Sequence, residues 1–444
     1  MQPDRSAVKP KKLILISPPF TSQLSPTLAL AGAFHEAGVE TTVACGKAFR
    51  ERITGRGFGF LPLLVNRNAN TGIAQATDQP EQERRRLEAF LESTKRGAAA
   101  ALLQQSRDRR EDMFADPEGL LSAIDALDRQ EKPDLWVANQ LSYAVTLVLH
   151  CLGLPFISFC PPHPLTIPRG EKIYGVPAAW PPPIHVDRKE FEELQETARN
   201  VERSFTAEFN RFIRRHCGKL RPVANSFRLA SGRAVLYNYP DFGGRSDPPG
   251  TARSIYMGYC FEEEPLPQRY RELLEGYRKK GPRILIVMGT FLSYRRDVLE
   301  ACILGAKERF PDSLVIAGAG ASTEALSTLH LENVHVEEFV PQKALIPHMD
   351  VVIHHGGNNS FTECLFFGRP MVILPFSSDQ FDIAADAVNN GIASALDPNT
   401  LSSASLGEAL EQALQRRDGE ALSRWQRHVR GRGPGYAVRK LLSV

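Results

Sequence analysis

The sequence predicts an α/β protein built from two doubly wound, Rossmann-like domains that face each other across a cleft. Three observations carry this expectation. A chain of 444 residues is longer than one hydrophobic core ordinarily serves. Short apolar runs alternate with helical stretches along most of its length, as in parallel sheets with crossover helices. The alternation breaks once, at "GGRSDPPGTARSIYMGYCFEEEPLP", and then resumes.

Each element follows from its residues. "KKLILIS" (11–17) is an apolar run suited to a buried parallel strand. "SPTLALAGAFHEAG" reads as a helix, with Ser25 as N-cap, Pro26 in the first helical position and Gly38 after its end. "VETTVACG" is the next strand, so the chain opens β-α-β. Residues 66–130 are polar, charged and helix-compatible. "PDLWVANQ", "SYAVTLVLHCLG" and "PFISFC" give strand, helix and strand. The stretch 161–183 is proline-rich and irregular, and such loops inside a domain commonly serve function. A long helix follows, and "AVLYNYPDF" closes the first half. The second series holds the strands "PRILIVMGTF", "SLVIAGAG", "NVHVEEFVPQ", "DVVIHHGG" and "PMVILPF". The expected division is a first domain over 1–242, a linker over 243–265, a second domain over 266–425, and a tail over 426–444 that packs back on the first domain.

Composition excludes several classes. Hydrophobic residues make up 42 % and charged residues 24 %, as in an ordinary globular protein. A net charge of +3 gives no footprint for nucleic acid. The basic clusters at 84–86, 107–110 and 214–215 read as solvated helix faces, the alternative being a surface for a membrane or an acidic partner. Seven cysteines, an odd number without a C-x-x-C pair, argue against a disulfide framework or a zinc site and for a reducing cytoplasm. No signal-like or membrane-spanning run is present. A cytoplasmic monomer or homodimer is expected.

The chemistry concentrates in residues 339–392. In "DVVIHHGG" a strand breaks into glycines, and Gly356 and Gly357 let a ligand approach the backbone. Asn359 and Ser360 open the next helix, whose free N–H groups and dipole suit a diphosphate. His355 can donate to a phosphate oxygen, and Glu363, one turn on, can accept from ribose hydroxyls. Asp379 and Gln380 end a strand where they can hold sugar hydroxyls. Phe339 and Gln342 can flank a flat base. The plainer alternative makes Asn359 and Ser360 a helix cap, His355 a strand-end histidine and Asp379 the cap of the following helix.

These residues resemble the UDP-glycosyltransferase family with the GT-B fold, which includes natural-product, plant and macrolide glycosyltransferases. Its donor signature H-G-G-x-N-S-x-x-E, followed by a D-Q pair, stands here as His355 to Glu363 and Asp379-Gln380. Phe339-Val340-Pro341-Gln342 matches the family's aromatic-x-P-Q entry, and "VMGT" supplies the diphosphate loop at Gly289 and Thr290. The resemblance implies inverting transfer from a UDP- or dTDP-sugar, a substrate and not a cofactor, to a small natural-product-like acceptor; with no aspartate-x-aspartate motif beside the donor residues, the transfer is expected to be metal-independent. It places His355, Gly357, Asn359, Ser360, Gly289 and Thr290 at the diphosphate and Glu363 at the ribose. Asp379 and Gln380 fall at the sugar, and Phe339 and Gln342 at the base. Phe20, Gln23, Tyr174 and Trp180 are expected to line the acceptor pocket.

One part of the family pattern is missing. The acceptor loop ordinarily carries a histidine base before x-x-P, oriented by an aspartate at the end of a later strand. Here Gln23 and Asn139 stand at those positions. An amide is no base near neutral pH. Either the acceptor is an amine or an easily deprotonated group that Gln23 orients, or a base has moved in, His163 first and His185 second. Other readings are a dyad displaced by a loop insertion, a non-catalytic nucleotide-sugar-binding relative or partner protein, or a nucleotide-sugar epimerase.

Overall fold

Strand β1 (Lys12–Ile16) shows how the first core is laid out. Leu13 and Leu15 enter one apolar cluster, Ile14 and Ile16 another on the opposite face. Both faces are covered, the condition under which an all-parallel sheet is stable. In the computed structural model the described residues are 9–443, apart from 67, 73–79, 115, 219, 244–246, 249, 252, 279 and 293 and the side chains of 110–112, 290 and 291.

The first sheet continues with β2 (Glu40–Cys45), β3 (Gly59–Pro62), β4 (Leu135–Asn139), β5 (Phe156–Cys160), β6 (Val235–Tyr237) and β7 (Ser254–Tyr256). Its order is β3-β2-β1-β4-β5-β6-β7, parallel throughout. The second sheet holds β8 (Arg283–Val287), β9 (Leu314–Gly318), β10 (Val334–Glu337), β11 (Val351–His354), β12 (Met371–Ile373) and β13 (Ala393–Ala395), in the order β10-β9-β8-β11-β12-β13 and again parallel. Strand order reverses between β1 and β4 in one sheet and between β8 and β11 in the other. Open α/β sheets bind ligands at such reversals, beyond the strand C-ends.

Helices cover both sheets: α1 (Thr21–Glu36), α2 (Arg50–Thr54), α3 (Glu81–Lys95), α4 (Ala98–Met113), α5 (Pro117–Glu131), α6 (Tyr143–Leu152) and α7 (Arg188–His216) precede β6. After β7 come α8 (Gln268–Gly276), α9 (Gly289–Leu292), α10 (Arg296–Arg309), α11 (Thr323–Ser327), α12 (Gln342–Leu345), α13 (Asn358–Phe367), α14 (Gln380–Asn389), α15 (Ser403–Gln415), α16 (Glu420–Arg430) and α17 (Pro434–Leu442). Among the described residues none of these is long and apolar enough to cross a membrane.

Several elements differ from the sequence expectation. The passage 243–265 is not wholly a linker, because Ser254–Tyr256 pairs with β6 as the edge of the first sheet. Helix α1 starts at Thr21, four residues before Ser25, so Gln23 lies in its first turn and Pro26 inside it. Proline lacks an N–H and leaves the carbonyl four residues back without its helical donor. That carbonyl, of Ser22, is taken by Asn359 Nδ2 of the other domain at 2.9 Å. The early start is also supported from outside, by the Thr21 N–H donating to the Asn70 carbonyl at 2.8 Å. Cys151 and Cys217 form a disulfide between α6 and the end of α7, against the expectation of free thiols. A separation of 66 residues carries no spacing signal for it.

The two domains meet through an apolar seam. Tyr239, after β6, stacks on Phe361 of α13 with centroids 5.5 Å apart, and one buried cluster includes residues from both sheets. Helix α3 belongs by sequence to the first half, yet its Leu91 is buried in the core of the second sheet. In the C-terminal segment α16 packs on α13, while α17 places Ala437 and Val438 in the core beneath α1.

Candidate active site

A cavity of about 740 Å³ lies between the sheets, walled by the C-ends of β1 and β4 on one side and of β8 and β11 on the other. On the C-terminal wall, α13 begins at Asn358 with Gly357 as N-cap and no capping side chain. The first helical N–H to find a helical acceptor is that of Phe361, on the Gly357 carbonyl. The N–H groups before it are therefore left for whatever occupies the cleft, at the positive end of the helix dipole.

His355 stands beside this helix end, pressed between two glycines. A Cβ on Gly357 would lie 2.4 Å from its Nε2, and one on Gly289 would lie 2.7 Å from its Cε1. Gly289 also has φ +71°, which other residues rarely adopt. Burial pushes the imidazole down to about 4, and its Nδ1 has no hydrogen-bond partner among the described residues. The ring is therefore neutral near pH 7 and carries one N–H to donate. Gln342 Nε2 donates to Ser360 Oγ at 3.1 Å and to Glu363 Oε2 at 2.5 Å. Burial pushes the Glu363 carboxyl up to about 7, with Gln342 and Lys343 opposing. Phe339 is 73 % exposed at the cavity wall, a free aromatic face. The Thr290 side chain lies outside the described residues.

Other members of the signature are spent on structure. Asn359 Nδ2 holds the Ser22 carbonyl, and its Oδ1 faces Asn238 Nδ2 at 3.4 Å. Asn358 Nδ2 donates to the carbonyls of Pro161 and Asn238, both at 2.6 Å. Asn359 is therefore a clasp between domains, since its amide is already paired. Gln380 Oε1 accepts from the N–H groups of Phe376 and Ser377 at 2.9 and 3.2 Å, shaping its own loop. Asp379 Oδ2 accepts the His163 backbone N–H at 2.9 Å, while burial raises its carboxyl above the ordinary range.

Across the cleft, the neighbouring ends of β1 and β4 bring Gln23 and Asn139 together. Asn139, 1 % exposed, accepts from the Leu141 N–H through Oδ1 at 3.0 Å. That bond turns its Nδ2 to Gln23 Oε1, at 3.1 Å. Gln23 then has only its Nε2 to offer the cavity. The pair is oriented as a donor and can take no proton.

His163 lies away from the cavity. Its ring is fully buried, outside the cavity wall. Nδ1 accepts from the Leu165 N–H at 3.2 Å, and Nε2 lies 3.1 Å from Asp386 Oδ2. This arrangement makes it a buried support against Tyr239, at 4.8 Å. His185 is exposed. Trp180 also leaves the expected pocket, packing on Phe381 of α14 with centroids 5.0 Å apart. Asp382 holds the surrounding loop by pairing with Lys172 at 3.0 Å and accepting from the Ala178 and Ala179 N–H groups. Phe20 and Tyr174 do line the cavity.

The basic clusters were read as solvated, and the structure turns part of them inward. Arg86 bridges Glu83 at 2.8 Å and Asp108 at 3.4 Å on the cavity wall. Arg109 is 8 % exposed and also lines the cavity. The signal was in the period of α4: Leu102, Ser106 and Arg109 share one buried face. Arg295 is 2 % exposed and ties the Thr94 carbonyl to Asn399. Among the described residues no three His, Cys, Asp or Glu side chains converge as a metal site requires.

Comparison with known proteins bears on this geometry. Residues 254–420 match the family model described as "UDP-glucoronosyl and UDP-glucosyl transferase". The demethyllactenocin mycarosyltransferase of Streptomyces fradiae is 27 % identical over 172 residues, 38 % of this chain and 36 % of that protein. The chain spans 36 to 56 % of the length of three curated relatives it matches. The glycotransferase of kitacinnamycin superposes with a TM-score of 0.66 at 21 % identity, over 98 % of both chains. The glycosyltransferase VinC in complex with dTDP gives 0.61 at 17 %, over 97 % of this chain and 98 % of that one. These likenesses establish the fold as GT-B, and within it residues 254–420 are similar to the UDP-glycosyltransferase family.

Proposed function

We propose that the protein transfers a sugar from a UDP- or dTDP-sugar to a small acceptor, with inversion at the anomeric carbon and without a metal. One contact carries the reading. Asn359, at the first turn of α13, holds the carbonyl of Ser22, the residue before Gln23. The acceptor wall is thereby fixed beside the helix end suited to a diphosphate. A donor seated on α13 would present its anomeric carbon toward Gln23.

In this reading His355 and the α13 N–H groups stabilise the charge that develops on the leaving diphosphate. Glu363 and Gln342 hold the nucleoside, and Phe339 stacks on its base. Asp379 keeps one oxygen for a sugar hydroxyl. Gln23 Nε2 donates to the attacking group and orients it. The acceptor must then arrive as an amine or as a readily ionised acid or phenol, because nothing at this position removes a proton.

A donor and acceptor screen read by mass spectrometry tests this. Matched amine, acid, phenol and alcohol acceptors are offered with UDP- and dTDP-sugars. Transfer should favour the first three over the alcohols, giving a product of inverted configuration by NMR. Replacing His163 with Asn should leave the pH–rate profile unchanged in shape. Equal rates on alcohols, or a changed profile, would sink the assignment. The amide pair also suits a non-catalytic nucleotide-sugar-binding protein, and tight donor binding without turnover on any acceptor would favour that reading.

A further inference from the structure

We infer that the acceptor carries a carboxylate and that Arg109 anchors it. This deepens the glycosyltransferase reading and rests on it for the word acceptor. The guanidinium of Arg109 lies over the Tyr174 ring at 4.4 Å. Tyr174 is itself stacked on Phe227 at 4.1 Å. The guanidinium also meets the loop at Gly175, where a Cβ would fall 2.7 Å from Nη1. Gly175 also has φ +81°, so both conformation and space call for glycine there. The guanidinium of this α4 residue is thus packed at the cavity wall against Tyr174 and Gly175 of the 161–183 loop.

Held this way and 8 % exposed, it has no hydrogen bond or ion pair among the described residues. The nearby carboxylates are committed elsewhere: Glu83 and Asp108 to Arg86, Asp382 to Lys172. A buried guanidinium without a counter-charge is costly, and an aromatic face offsets only part of that cost. A carboxylate entering the cavity would supply the planar, bidentate partner that arginine geometry matches. The apolar side chains that line the same cavity, Phe20, Leu87, Phe90, Leu102 and Met113, suit a hydrophobic body on the same molecule.

The test measures binding, so it does not require turnover. 6-Hydroxy-2-naphthoate and 6-hydroxy-2-naphthamide are titrated into the full-length protein with UDP or dTDP present. The acid should bind on the order of 10²-fold more tightly than the amide, the size of a charge-assisted hydrogen-bonded pair. Arg109→Gln should bring that ratio close to one, and Arg109→Lys should keep part of it. UDP and dTDP affinity should be the same in all three proteins, showing that the fold survives. Equal binding of acid and amide by the unaltered protein overturns the proposal, as does a ratio that survives Arg109→Gln. If Arg109→Gln fails to fold, the ratio in the unaltered protein and in Arg109→Lys decides. Acid-selective binding without sugar transfer would count against the glycosyltransferase reading and leave the carboxylate site standing.

Discussion

The two walls of the cleft are built differently. The C-terminal wall draws most of its polar groups from one contiguous stretch, 339–380, where strand, turn and helix follow directly in sequence. The N-terminal wall gathers residues from β1, α3, α4, the end of β4 and the 161–183 loop. A contiguous wall is set by local rules of caps, turns and strand ends. A gathered wall depends on which long-range partners meet. The first therefore keeps most of its expected groups in the cavity, and the second exchanges several of them.

The strongest way to break this comparison is to cut the rivet between the walls. Asp382→Ala removes the buried carboxylate that pairs with Lys172 and accepts from two loop N–H groups. The expected loss is about 3–5 kcal/mol of stability, read by denaturant titration. A loss below about 1 kcal/mol would show that the loop is held by its apolar contacts alone.

Next in size, Gly357→Ala puts a methyl group against His355. Donor turnover should fall by roughly 10²–10³, as when one donor to a developing oxyanion is removed. Unchanged turnover with the fold intact would remove His355 from the donor site.

The acceptor wall is sharpened by restoring an ionisable pair. Gln23→His combined with Asn139→Asp should raise the rate on plain alcohols by about 10²-fold, the contribution of a positioned base. Amine and acid acceptors should change little. A gain on every class would mean that the amides do not select the acceptor.

The smallest effect concerns pH. Glu363 stands at about 7 in the folded protein against an ordinary 4.5. Between those values the native state keeps a proton that the unfolded chain releases, so this group makes stability fall as pH rises through that window. Glu363→Gln should remove that component, giving a less negative slope of unfolding free energy between pH 5 and 7. An unaltered slope would place Glu363 in a wetter setting.

Much of the donor wall was legible because its chemistry is local. Glycines at a strand end, a helix opening without a cap and a glutamate one turn later each imply their geometry. The role of Asn359 was not legible. A helix-start asparagine looks the same whether it holds a ligand or the Ser22 carbonyl, and the distinction rests on Pro26, 333 residues away, leaving that carbonyl open. His163 misled for a related reason. A histidine after a strand C-end satisfies the rule for ligand sites, yet its backbone lies on Asp379 and its ring on Asp386. Arg109 was hidden by composition, since a run of arginines reads as a solvated face unless the period of the helix is followed.

By itself the sequence determined the two β/α series, their parallel sheets and the groups gathered at the start of α13, because periodicity and turn chemistry act between neighbours in the chain. Tertiary structure decided the rest. It set the amide of Gln23 as a donor through Asn139, 116 residues on, closed His163 away and turned Arg109 inward. Such outcomes depend on which buried polar group finds a partner, and that is settled only when distant segments pack.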